Sequence, residues 1–169
     1  MDVSQAISIR RSVRDYKNQD IDEEKLNKVL EAGRLAPSAS NGQEWKFVIV
    51  KDYEARIRLA QAASQQAFVG EAPVIIIACA TRQSIMTCGQ SRHTVDLSIA
   101  MSFMILQATE LGLGTCWIGA FDEGKVKSIL GIPEDVSVVA ITPLGYPAIA
   151  TRPKPRKSLE EIVCYDRYV

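Results

Sequence analysis

The stretch HTVDLSIAMSFMILQATELGLGTCWIGAF, residues 93–121, decides the plan of this chain. Its first part is predicted to be one long helix, in which residues 94–111 would span about 27 Å at about 1.5 Å per residue. Apolar side chains lie on nearly every face, and the interruptions at Ser102, Gln107 and Glu110 make the segment unsuitable for a membrane span. A helix that is apolar all round must be buried on all sides. In one domain of this size, we therefore expect a second copy of the chain to cover it.

The long helix is predicted to end in the glycine-rich segment Gly112-Leu113-Gly114, which leads into residues 117–120. Glycine allows positive φ angles and lets a backbone approach another group closely. The sequence therefore predicts that something binds against this segment.

Length and composition favour a single soluble domain, residues 1–169. A chain of this size buries about 70% of the surface that it exposes when unfolded. Its net charge is zero, so attraction to nucleic acid or to an anionic membrane is not expected. The four cysteines are widely spaced and His93 is the only histidine, which argues against a metal site. The sequence begins without a signal peptide, so the expected compartment is the cytoplasm.

The charges are distributed unevenly, with basic clusters near both ends, at residues 10–17 and 152–157. Arginine presents a planar fork of donors that suits phosphate, and a neighbouring hydroxyl adds another donor. We therefore expect the two clusters to meet in space around a phosphate group. A solvated charged turn is the alternative interpretation of the N-terminal cluster.

Hydrophobic runs bounded by turn formers predict the other elements, and their order indicates an α+β or mixed α/β sheet protein. The run at 74–80 is apolar without alternation, which is typical of a strand covered on both faces. The proline-rich segment 145–157 is predicted to be irregular. The remaining predictions are helices at 2–11, 21–35, 52–69, after Asp122 and from Ser158, and strands at 46–50, 136–141 and 164–169.

No motif for side-chain catalysis is found. The chain has no G-x-S-x-G and no Walker A motif, and its glycines at 112, 114 and 119 neither have the dinucleotide spacing nor follow a strand. The one possible hydrogen-bonded pair is His93 with Asp96. If the protein is an enzyme, a cofactor is expected to carry the chemistry.

Four segments, taken in order, resemble the FMN-dependent nitroreductase family in its short form. They are Arg10-Arg11-Ser12-x-Arg14, Pro37-Ser38-x-Ser40-Asn41-x-Gln43-x-Trp45, GLGTCWIGAF at 112–121, and PKPRKSLEE at 153–161. The resemblance runs from Ile7 to about Val163. It implies an α+β three-layer sandwich whose central, mixed or mostly antiparallel sheet is flanked by helices. It also implies a domain-swapped C-terminal arm, about residues 145–169, that reaches the partner subunit.

In function, the resemblance implies an oxidoreductase with FMN as cofactor and NADH or NADPH as co-substrate. Hydride would pass through flavin N5 to a small acceptor such as a nitroaromatic or a quinone. The protein would be a homodimer with FMN at the subunit interface, and the long helix would pack against its counterpart. The alternatives are a specialised flavin-fragmenting or reductive dehalogenase-type relative and a non-catalytic flavin-binding protein.

The resemblance also assigns cofactor-binding residues and leaves the catalytic chemistry to the flavin. The expected phosphate ligands are Arg10, Ser12, Lys154 and Arg156. The expected contacts to the rest of the flavin include Arg11, Arg14 at the pyrimidine edge, and Gln65 or alternatively Gln66. Pro37, Ser38 and Ala39 are expected to contact it from the other subunit. Trp117 is expected to contribute its backbone or ring, and Ile118, Gly119 and Ala120 are expected to lie beside the reactive centre.

Within that set, the backbone N–H of Gly119 is expected to point at N5. Two interpretations of Trp117 remain open, a role near the flavin and a role as a core aromatic. Glu44 departs from the family pattern, which has proline before Trp45, and it puts a carboxylate near the cofactor entrance. The segment 82–92 is short, so little material is expected to cover the substrate.

Overall fold

The computed structural model describes residues 1–168, which contain six α-helices and four strands. A short 3-10 helix, Ala39–Asn41, lies in the loop between the second helix and the first strand. The elements are α1 Val3–Ile9, α2 Glu23–Arg34, β1 Trp45–Val50, α3 Tyr53–Ala62, α4 Ala67–Glu71, β2 Val74–Ala80, α5 Arg92–Glu110, β3 Gly114–Thr115, α6 Glu123–Leu130 and β4 Ser137–Gly145.

The sheet has the strand order β1-β2-β4-β3, and all its pairings are antiparallel. β2 is buried along its whole length, and its side chains alternate between two separate cores. Ile76 and Ala78 pack with α2 and α5, whereas Ile75 and Ile77 pack with α3, α4 and α6. Because neighbouring side chains of a strand point to opposite faces, this pattern requires a helical layer on each side. The predicted α+β three-layer sandwich and the doubly covered strand are confirmed.

The long helix α5 is buried on only one side within a single chain. Leu97, Met101 and Met104 face the core, and a Cβ on Gly33 of α2 would overlap the Met104 side chain, which explains the small residue there. Val95 and Phe103 are 37% and 41% exposed. The predicted burial on all sides is therefore not reached within one chain, and the uncovered strip is the surface on which the predicted second copy would lie.

The predicted helix 52–69 is in fact two helices. α3 ends at Ala62 and α4 begins at Ala67, and Ser64 and Gln65 between them have φ angles of 56° and 59°. Two contacts with the segment before α6 stabilise the break. Ser64 Oγ donates to the Ala120 carbonyl at 3.2 Å, and the Asp122 N–H donates to the Ala62 carbonyl at 2.9 Å.

The C-terminal arm lacks the helix and the edge strand predicted for it. A single turn forms where the Ile162 and Val163 N–H groups donate to the Leu159 carbonyl at 3.1 and 2.9 Å. One turn is too short to sustain a helix without packing, and these side chains are exposed. Residues 164–168 form no strand, and Val169 lies outside the described residues. Within residues 1–168, no helix is long and apolar enough to cross a membrane.

The segment that follows α1 lies between β3 and the start of the arm. The Val13 N–H donates to the Thr115 carbonyl at 2.8 Å, and the Ala148 N–H donates to the Asp15 carbonyl at 2.9 Å. A Cβ on Gly114 would lie 2.5 Å from a Val13 methyl carbon, so glycine is required for this close approach. The segment carries Ser12 and Arg14, and its path therefore depends on Gly114.

We expect Gly114→Ala to destabilise the protein by about 1–3 kcal/mol, because the new methyl group must displace the buried Val13. Thermal unfolding of the purified variant measures this effect. Gly124→Ala is the matched control, since a Cβ there would meet only the Asp122 carboxylate at 3.5 Å. Equal unfolding temperatures for the two variants would contradict the packing argument.

Candidate functional site

One cation from each of the two basic clusters, Arg14 and Lys154, lies near the buried thiol of Cys116. Burial raises the pKa of this thiol, and the positive charges of Arg14 and Lys154, together with a hydrogen bond from Ser12, oppose that rise. Burial also raises the pKa of the neighbouring Tyr16, and the charge of Arg14 again acts in the opposite direction. Residues from both ends of the chain are thus brought to one place beside the segment after β3.

Within residues 1–168, the positive charges of this cluster have no acidic partner. In residues 1–168, neither Arg14 nor Lys154 forms an ion pair or a hydrogen bond through its side chain, and Ser12 is exposed beside them. Lys154 and Ser12 are suitable donors for a phosphate group, and Arg14 adds an unpaired positive charge for another part of an anionic ligand. We call Ser12, Arg14 and Lys154 the basic cluster.

The other three arginines of the predicted site are placed differently. The Arg11 guanidinium donates to the Ser8 and Arg10 carbonyls at 2.7 and 2.8 Å, and it thereby caps the end of α1. Arg10 follows α1, and its N–H donates to the Ala6 carbonyl at 3.0 Å. Arg156 is exposed, and its guanidinium reaches only the Pro155 carbonyl at 3.5 Å. The chain's own contacts do not draw Arg10 or Arg156 into the basic cluster.

The predicted flavin-facing segment 118–120 is fixed at both ends and open in the middle. Ile118 exchanges two backbone hydrogen bonds with Ile141, at 2.9 and 3.1 Å, and Ala120 accepts the hydrogen bond from Ser64. Gly119 is exposed, and a Cβ there would meet only Trp117 Nε1 at 4.0 Å. The fold itself therefore does not require glycine at 119, and the open space is what a close ligand approach needs.

The Trp117 side chain is 37% exposed, so it is not a core aromatic. This removes one of the two interpretations of the residue. Its ring stands beside the open Gly119 backbone, on the surface that the segment presents to solvent.

The two candidate glutamines lie at the break between α3 and α4. Gln65 is exposed and lines a groove between α3 and α6 with Arg58, Gln61 and Lys125. The Gln66 side-chain amide folds back and donates to the Ala63 carbonyl at 2.8 Å. The choice between Gln65 and Gln66 as the flavin contact stays a prediction.

The loop with Pro37, Ser38 and Ala39 is attached to the start of α5. The Ala39 N–H donates to Asp96 Oδ1 at 3.0 Å, and the Arg92 guanidinium donates to the Ala39 carbonyl. Sequence reasoning missed this role of Arg92 and Asp96 and considered a pair of His93 with Asp96. That pair is absent in the described structure, where the His93 ring lies 3.2 Å from Ser91 Oγ. The i,i+4 spacing of an arginine and an aspartate was the available signal.

Glu44, which departs from the family pattern, is half-buried at the end of the same loop. Its carboxylate forms an ion pair with Arg82 at 3.3 Å, and its carbonyl accepts from the Thr81 N–H at 3.1 Å. This carboxylate is therefore tied to the segment after β2.

The residues present fit FMN at both of its ends. Within the basic cluster, Lys154 and Ser12 offer a charge and a hydroxyl donor for the phosphate, and the exposed Gly119 backbone leaves space for a flat ring. In the described chain, the N–H groups of Gly119 and Ala120 donate no hydrogen bond, so both are available to a ligand.

Comparison with known proteins identifies the family of this chain. The sequence model of the nitroreductase family matches residues 7–73 and 62–146. A putative NADH dehydrogenase/NAD(P)H nitroreductase of Methanothermobacter thermautotrophicus is 36% identical over 158 residues, which cover 88% of this chain and 78% of the relative. The chain therefore belongs to the nitroreductase family, as its motifs predict.

Two further comparisons cover nearly the whole chain. An NADH dehydrogenase of Thermus thermophilus is 30% identical over 197 residues, covering 98% of this chain and 96% of the relative. The solved structure of the NADPH:FMN oxidoreductase from Vibrio harveyi, complexed with NAD+, superposes with a TM-score of 0.91 at 29% identity. It covers 99% of this chain and 78% of that one.

Proposed function

We propose that this protein is a homodimeric, FMN-dependent oxidoreductase that uses NADH or NADPH to reduce a small acceptor such as a nitroaromatic or a quinone. The observation that carries the proposal is the meeting of Ser12, Arg14 and Lys154 beside the open segment 118–120. The names of the relatives agree with the predicted enzyme class and with the predicted cofactor and co-substrate.

Bound FMN supplies the hydride and electron transfer, for which the chain has no side-chain substitute. Lys154 and Ser12 hold the phosphate, with Arg10 and Arg156 as further predicted ligands. Arg14 places a positive charge near the pyrimidine edge. The free N–H of Gly119 orients the ring, and its missing side chain keeps that face open to the co-substrate and then to the acceptor.

The chain presents two apolar surfaces that a second copy would bury. One is the strip on α5 with Val95 and Phe103. The other is the arm, where Leu159, Ile162 and Tyr165 are between 62% and 84% exposed. Large exposed apolar patches mark association surfaces. We propose that α5 meets its counterpart and that the arm reaches across the partner, so that both subunits enclose the cofactor.

A cytoplasmic location is part of the proposal, because Cys79 and Cys116 are buried thiols that a reducing compartment preserves. The specialised flavin-fragmenting or dehalogenating function is not favoured. The segment between β2 and α5 has only 11 residues, 81–91, which is little material to cover a substrate.

An anaerobic titration tests the proposal. Purified protein loaded with FMN should lose its yellow colour when NADH or NADPH is added, and a panel of nitroaromatics and quinones should restore it. A yellow protein that neither co-substrate reduces would indicate a non-catalytic flavin-binding protein. A colourless protein that does not take up FMN would contradict the proposal as a whole.

A further inference from the structure

We propose that Arg92 and Asp96 are positioning residues, which hold the loop 37–43 in the shape that closes the FMN site. The inference rests on the proposed function, in which this loop covers the cofactor. It adds a role for two residues at the start of α5 that lie outside the four family motifs. We call the pair the loop clamp.

The loop clamp forms two hydrogen bonds with the backbone of a single loop residue. Asp96 Oδ1 accepts the Ala39 N–H at 3.0 Å, and the Arg92 guanidinium donates to the carbonyl of the same residue. Asp96 Oδ2 lies 3.6 Å from Arg92 Nε, so the two side chains also hold each other. Both polar backbone groups of Ala39 are therefore fixed by one ion pair.

Asp96 is buried and Arg92 is partly buried, which makes the clamp sensitive to the loss of either member. Asp96 is 5% exposed, and the buried Nε of Arg92 forms no hydrogen bond within the described residues. A buried charge whose partner is removed is strongly unfavourable, so the pair acts as one unit. A Cβ on Gly42 would overlap the Arg92 guanidinium, which shows how closely the loop wraps around it.

The loop contains backbone conformations that need support from the surrounding structure. Ser40, Asn41 and Gln43 have φ angles of 52°, 52° and 51°, a region that L residues rarely adopt. Such conformations persist only where the surroundings impose them, and they are common at ligand clamps. The bonds inside the loop, such as Asn41 N–H to the Ser38 carbonyl at 2.9 Å, set its curvature. The bonds to Ala39 set its position on α5.

The clamp also links the cofactor cover to the dimer surface. Asp96 is the neighbour in sequence of Val95, which lies on the uncovered strip of α5. The helix that would pack against the partner therefore carries the groups that position the loop. A change in the packing of α5 would move both together.

The test compares Asp96→Ala and Asp96→Asn with a core control, Val126→Ala, on the opposite side of the sheet. Asparagine keeps an oxygen for the Ala39 N–H, whereas alanine removes it. We expect Asp96→Ala to bind FMN about 10- to 100-fold more weakly than wild type, the range that loss of a hydrogen bond to a charged group gives. Asp96→Asn should recover most of that loss.

A second measurement follows the loop without FMN. In the apoprotein, hydrogen–deuterium exchange of a peptide spanning residues 36–44 should be faster in Asp96→Ala and unchanged in Val126→Ala. Arg92→Lys, which keeps the charge but loses the planar fork, should also exchange faster. These milder variants keep the test informative if Asp96→Ala does not fold.

Two results would overturn the inference. One is unchanged exchange over residues 36–44 in all clamp variants. The other is a loss of FMN affinity in Asp96→Ala that Val126→Ala reproduces at the same loss of thermal stability. If wild-type protein fails to bind FMN, the proposed function is wrong, and the exchange measurement still decides whether the clamp holds the loop.

Discussion

Replacing Lys154 with alanine is expected to weaken FMN binding by about 10- to 150-fold and to leave the unfolding temperature of the apoprotein unchanged. A charge-assisted hydrogen bond contributes about 1.5–3 kcal/mol, which corresponds to that range. Lys154 is exposed and forms no ion pair within the described residues, so its removal should not change the stability of the apoprotein. Titration of apoprotein with FMN, followed by quenching of flavin fluorescence, measures the binding.

Lys157→Ala is the control for Lys154→Ala, because it removes the same charge from the same exposed arm outside the predicted site. The affinity of the control should stay within about twofold of wild type, the effect of a screened surface charge. Arg10→Ala and Arg156→Ala in the same titration decide whether these arginines join the basic cluster once FMN is bound. Unchanged affinity in all three site variants would remove the phosphate assignment.

The three-layer fold was predictable because its signals are local. The unbroken apolar run at 74–80 requires cover on both faces, and that strand is one of the two inner strands of the sheet. The starts of α3 and α6 were equally readable, since Asp52 and Asp122 accept from backbone N–H groups at 2.8 and 3.0 Å, as N-caps do, whereas Asp22 before α2 accepts no such bond.

The basic cluster was predictable for another reason. Charges that are far apart in the sequence and have no partner nearby suggest a common ligand, and the family motifs name it. The geometry of the basic cluster was harder to predict, because the sequence does not show that Cys116 lies at the centre of the cluster. The close packing of Gly114 on Val13 brings the N-terminal segment there, and this packing is a tertiary effect.

The features that sequence reasoning missed depend on distant partners. The helix break at Ser64 contains no glycine or proline, and its partners are Ala120 and Asp122, more than 50 residues away. The clamp on Ala39 joins two segments 57 residues apart. The side chains of residues 158–163 are exposed in the described structure, so local propensity without packing overestimated the helix of the arm.

Phe103→Glu is expected to convert the dimer into monomers and to abolish FMN retention. Burying a Phe side chain contributes about 1.5–3 kcal/mol, and a two-fold interface uses each residue twice. A carboxylate in the same place would have to be desolvated, at a cost of several kcal/mol per ion. Analytical ultracentrifugation measures the oligomeric state, and the flavin absorbance of the purified protein measures retention.

Tyr53→Glu is the matched control, since Tyr53 is an aromatic residue of α3 that is 61% exposed and lies on the opposite helical layer. It should remain dimeric and yellow. Because Phe103 is 41% exposed in the single chain, the fold itself tolerates a polar residue there. Loss of FMN together with loss of the dimer would therefore come from the missing partner. A Phe103→Glu monomer that retains FMN would place the whole cofactor site within one chain, and a dimeric Phe103→Glu variant would remove this part of α5 from the interface.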